Sequence, residues 1–103
     1  MRKENMNEQI NELIDYSKRG ILSKVIIKND KMNVTLFCMA ENTEISEHTS
    51  TKQGFVYVIE GKGIFTLEEK KIEMLPGVFI QMNENQVHSI QAQANTSFML
   101  VLT

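Results

Sequence analysis

The sequence has no tryptophan, a single cysteine and a single proline. With Cys38 alone, no disulfide can form within the chain, so the fold must be held without one. Cys38 lies in the apolar run 33–40 and reads as a small buried hydrophobe. A catalytic thiol would need a neighbouring base and some exposure. No run of about 18 apolar residues occurs, so no membrane-spanning helix and no membrane partner are expected. Residues 1–5, Met-Arg-Lys-Glu-Asn, lead into a polar segment without an apolar core. A secretory signal is therefore not expected, and a cytoplasmic location follows by default. An excess of positive charge is missing too. Thirteen acidic side chains against 11 basic ones leave a net charge of −2, which offers nucleic acid no basic face.

What is present is ordinary globular material. At 103 residues, 42% apolar and 23% charged, the chain suits one domain with one modest core. Residues 6–17 carry Met6, Ile10, Leu13, Ile14 and Ser17 on a helical rhythm, with Gly20 placed to follow the helix end. An amphipathic helix is expected there, packed on the rest of the domain. From Ile21 the pattern changes to strands, expected at 23–28, 33–40, 55–60, 64–68, 71–74, 78–82, 87–91 and 97–102. Turn signals separate them: Asn29-Asp30-Lys31, Gly61-Lys62-Gly63 (read as a hairpin turn), Leu75-Pro76-Gly77 and Asn83-Glu84-Asn85. Many short strands between turns indicate an all-β barrel or sandwich. In 33–40, Val34, Leu36 and Cys38 alternate with Thr35, Phe37 and Met39. Both faces of that strand should be covered, one by the core and one by a second sheet or a partner subunit.

The only two histidines are His48 and His88, each beside a strand-like run. Between them come an apolar strand ending in Glu60-Gly61, then Pro76-Gly77 and another strand. This order resembles the small single-domain cupins. Their first motif, Gly, His-x-His, Glu, Gly, falls here on Asn42, His48, Ser50, Gly54 and Gly61. Their second, Gly, Pro-x-Gly, His, Asn, falls on Gly77, Asn83, Asn85, His88 and Ala92. The layout is similar to that of a bacterial subgroup without the His-x-His pair. The resemblance implies a jelly-roll-like double-stranded β-helix barrel over residues 23–103, preceded by a helical segment over 1–22. It also implies a pocket at His48 and His88 and a homodimer.

The departures have physical content. Asn42 and Asn85 stand where the family has glycine, and Asn is the residue next best able to take positive φ. Ser50 and Gly54 stand where the family has a metal-binding histidine and glutamate. Of the implied ligand set only His48 and His88 carry over. A tight site for Zn, Ni, Fe or Mn uses three or four side-chain ligands, so at most weak divalent-metal binding is expected. The expected pocket comprises His48, Ser50, Gln53, Met82 and His88, with methionine and phenylalanine around it. A small organic ligand is the expected occupant. The alternative is a small cupin enzyme of isomerase, decarboxylase or oxygenase type, metal-dependent or using the histidines for proton transfer. No particular residue can be assigned a catalytic role.

Overall fold

A computed structural model describes residues 7–103. The fold is nearly all β. Its strands are β1 (Ile21–Lys28), β2 (Asn33–Met39), β3 (Glu44–His48), β4 (Gly54–Glu60), β5 (Gly63–Leu67), β6 (Lys70–Met74), β7 (Phe79–Met82), β8 (His88–Ala92) and β9 (Thr96–Leu102). They form two sheets, one in the order β1-β2-β9-β4-β7 and one in the order β3-β8-β5-β6. Every pairing is antiparallel. No helix among the described residues is long and apolar enough to cross a membrane.

Strand alternation fills the space between the sheets. The large sheet sends in Met39, Val56, Val58, Ile80, Met82 and Phe98. The small sheet answers with Phe65, Met74, Ile90 and Ala92. Phe65 and Phe98 are fully enclosed, and burying a side chain of that size contributes roughly 1.5–3 kcal/mol. Several turns rest on residues with positive φ. Asn42 and Asn85 adopt +67° and +64°, as expected of asparagines standing in for glycine. Gly77 is at +90°, and Val78 N–H donates to Leu75 O (3.0 Å) across Pro76-Gly77.

The first structural difference from expectation is the Gly61–Gly63 segment. It is no hairpin turn, because β4 pairs with β7 and β9 while β5 pairs with β6 and β8. The segment is a corner where the chain passes from one sheet to the other. A bulge between Val58 and Glu60 breaks the ladder just before it. Thr96 then ties the corner down: its hydroxyl accepts from Lys62 N–H (3.1 Å) and lies 3.0 Å from Lys62 O. Gly61 is required twice over. Its φ is +107°, and a Cβ there would overlap the backbone of Asn95 and Thr96.

The second difference is the helix. Among the described residues only Ile10–Leu13 is helical, and Ile14 is already extended (φ −69°, ψ 127°). Met6 lies outside the described residues. One turn of helix is marginal by itself, and Asp15, Tyr16 and Ser17 are weak helix formers. Tertiary partners also compete with continued helix. The Lys24 ammonium donates to Leu13 O (2.6 Å), and the Tyr16 hydroxyl donates to Glu60 Oε2 (3.0 Å). Burial, with the Glu60 carboxylate adding to it, pushes the Tyr16 phenol up to about 12. Gly20 N–H donates to Ser17 Oγ (2.7 Å), so it closes a turn rather than a helix.

These contacts hold the N-terminal segment against the outer face of the large sheet. Leu36 and Cys38, both on that face, are completely buried. The second cover expected over β2 therefore comes from the chain itself at this end. Met99 belongs to the outer face as well. It pairs with Leu36 and Tyr57 and shares a surface groove with Ile10 and Ile59.

Candidate functional site

His88 sits on a regular strand. In β8, His88, Ile90 and Ala92 are buried, while Ser89 and Gln91 face outward. β3 carries the other histidine, and its alternation is broken. Ile45 pairs with Ile90, yet His48 pairs with His88, so β3 uses one residue more than β8 over the same stretch. In a regular ladder Glu47 would oppose His88 and point inward with Ile45. The bulge reverses this. Ile45 and His48 both line the interior cavity, and Glu47 lies in a groove on the outer surface beside Thr66 and Lys71. The meeting of the two histidines thus depends on one extra residue in β3.

The imidazole centroids are 4.1 Å apart, with ring planes at 64°. Each ring is anchored by the same device. His48 Nδ1 lies 2.9 Å from Ser46 O, and His88 Nδ1 lies 3.0 Å from Gln86 O. A carbonyl oxygen only accepts, so we assign the proton of each neutral ring to Nδ1. The surroundings of the rings differ. His48 is exposed, whereas His88 is 7% exposed and stacks on Phe65 with the planes 5° apart. Burial holds the His88 imidazole below its ordinary pKa, with the neighbouring His48 adding to the effect against the bond to Gln86 O.

Behind the rings lies a cavity of about 40 Å³, lined by Phe37, Ile45, Val56, Phe65, Met82, Ile90, Phe98 and Leu100 with the two histidines. It has room for only a few waters. Among the described residues no carboxylate, ammonium or guanidinium borders it. The structure brings His48, Met82 and His88 to this cavity. Ser50 and Gln53 are not among its lining residues. Ser50 Oγ accepts from Lys52 N–H (3.1 Å), and its carbonyl accepts from Asn85 N–H (2.7 Å). Gln53 is exposed, and its carbonyl accepts from Thr103 N–H (2.9 Å). Sequence reasoning did not single out Ile45, Phe65 or Phe98 for the pocket. Their places follow from strand alternation once the register is known.

Gly54 shows why the donor set stops at two. It pairs with Met82 on one side and Leu102 on the other, on the inner face of β4. A Cβ there would overlap the carbonyl oxygen of Val101 and meet Leu102 Cδ2 at 3.0 Å. The position of the resembled family's glutamate is closed by the β9 backbone. Among the described residues no three His, Cys, Asp or Glu side chains come together as metal ligands. Two imidazoles against an apolar wall do not fit a tight divalent-metal centre.

Comparison with known proteins agrees with this architecture. The cupin domain family profile matches residues 35–103. The chain belongs to the cupin domain family. No curated protein matches it significantly. Among solved structures it is similar to a conserved protein of unknown function from Streptococcus pyogenes (TM-score 0.87, 18% identity, covering 99% of this chain and 90% of that one). It is equally similar to a cupin superfamily protein from Desulfitobacterium hafniense (TM-score 0.87, 18% identity, 99% and 97%). KdgF from a Halomonas species also matches (TM-score 0.78, 17% identity, 95% and 93%). At such identities the likeness establishes the cupin fold and nothing finer.

Proposed function

We propose that this cupin is a small-molecule binding module, with His48 and His88 as the polar mouth of the barrel pocket. The observation that carries the reading is the chemistry of the pocket wall. Eight apolar side chains surround two imidazoles, and among the described residues no third ligand side chain joins them. Such a site binds by shape, apolar contact and a few directed hydrogen bonds. Ser50 and Gln53, on the loop beyond His48, are proposed to touch the part of the ligand that projects from the mouth. The cavity is small, so that ligand inserts only a fragment.

A second reading is a cupin enzyme that moves protons. It is favoured by the buried, neutral His88, whose free ring nitrogen could act as a general base. One experiment separates the two: elemental analysis and native mass spectrometry of untagged protein, with His48→Ala and His88→Ala alongside. The binding reading expects a retained small organic molecule, lost in both variants, and no stoichiometric metal. A stoichiometric divalent ion lost in both variants would replace it with the metal-enzyme reading.

A homodimer is proposed on the outer face of the large sheet. Tyr57 is 45% and Phe79 60% exposed there, and Phe55 stacks on Phe79 at 4.9 Å. Apolar surface of this kind commonly marks a protein contact. Sedimentation of Phe79→Glu beside the wild type tests it: dissociation supports this face, and an unchanged dimer excludes it.

A further inference from the structure

Which ligand chemistry the mouth accepts follows from the anchoring of its two rings, if the binding reading above holds. Both Nδ1 atoms point to backbone carbonyls, from Ser46 and Gln86. Neither Nε2 has a hydrogen-bond partner among the described residues. In a neutral ring with its proton on Nδ1, Nε2 carries a lone pair and no hydrogen. Each ring therefore offers one acceptor and no donor. Among the described residues the wall behind contributes no hydroxyl, side-chain amide or cation. An anion would meet lone pairs and apolar carbon, losing its hydration without replacement. A ligand N–H or O–H would gain one or two directed bonds, while an attached methyl-sized group would sit in the apolar cavity.

We propose that the pocket selects neutral hydrogen-bond donors, an amide N–H or alcohol O–H beside a methyl-sized apolar end, and discriminates against carboxylates and other anions. The free nitrogens of His48 and His88 receive the donor hydrogens. The apolar end lies against the cavity wall of Phe65, Met82 and Phe98. The remainder of a larger ligand stays outside, past the exposed His48.

The test is nitrogen NMR on ¹⁵N-histidine-labelled protein at pH 8 with chelator present. That pH lies above the ordinary histidine range. The free protein should show Nδ1-protonated tautomers for both rings. Acetamide should then shift both Nε2 resonances, and acetate at equal concentration should shift neither. In His48→Ala, which removes an exposed ring, acetamide should bind about 2- to 10-fold more weakly, the equivalent of one lost hydrogen bond. An Nε2-protonated tautomer on either ring would overturn the inference before any ligand is added. So would acetate binding as well as acetamide, although a small-molecule pocket would still stand. If acetamide, ethanol and acetate all fail to perturb either ring, both the inference and the binding reading fall.

Discussion

The two histidine strands use the same residue and the same anchoring, yet they place their imidazoles in different surroundings. β8 is regular: His88 alternates with outward residues, stacks on Phe65 and is shielded from solvent. β3 is bulged and largely exposed, and His48 reaches the pocket only because one extra residue lies between Ile45 and His48. In both, a ring nitrogen is tied to the carbonyl two residues earlier. Local anchoring therefore fixes the ring orientation in each strand, while the packing around it sets how dry each imidazole is. One ring belongs to the core and the other to the entrance.

That contrast can be broken most severely from the buried side. Phe65→Ala removes the ring under His88 and should cost about 3–5 kcal/mol in urea unfolding. It should also move the His88 ring resonances far more than those of His48. Equal movement of both would mean that the two rings share one environment. Gly54→Ala should cost about 1–3 kcal/mol, because the new methyl must displace the β9 backbone at Val101. A neutral result would show that β4 has room there and that a ligand side chain was lost for another reason.

The next effect is a dependence on pH. In the folded protein His88 titrates below its ordinary value of 6.5, so the unfolded chain binds the proton more readily. Its contribution is fully present above about 6.5. Stability is lost as pH falls below that value, until the folded pKa is passed. Urea midpoints measured from pH 8 down to pH 5 should decline, and His88→Gln should flatten the decline. A midpoint that rises on acidification would contradict the dry setting of His88. The smallest effect is expected at the entrance. His48→Ala should change stability by no more than about 0.5 kcal/mol, since the ring is exposed. A larger loss would make His48 a structural residue like its partner.

The same contrast explains what was legible in the sequence. β8 and the large-sheet strands show clean alternation or long apolar runs, and their positions could be read directly. The asparagines at 42 and 85 could be read as well, because positive φ restricts the choice of residue. β3 could not. Glu44-Ile45-Ser46-Glu47-His48 is mostly polar, and its bulge erases the two-residue period by which a strand is recognised. The Gly61–Gly63 corner looked like a hairpin because local glycine spacing carries no information about which sheet the next strand joins. The helical rhythm over residues 6–17 was real, but the contacts from Lys24 and Glu60 that end the helix lie outside that window. The closing of Gly54 by Val101 is likewise a contact between distant parts of the chain. Which family ligands were absent could be read from spacing, and why a replacement cannot simply be reinserted at Gly54 required the fold.

A bulge in β3 brings His48 to His88 at the mouth of an apolar barrel. Cross-relaxation between the two imidazoles, measured by NMR in the wild-type protein, tests it most directly. With centroids 4.1 Å apart, a strong cross-peak between the ring protons of His48 and His88 is predicted, joined by contacts from His88 to Phe65. Absence of the inter-ring peak, with His48 instead contacting the outward-facing Thr66 or Gln91, would show that β3 runs without the bulge and that the two histidines do not share a site.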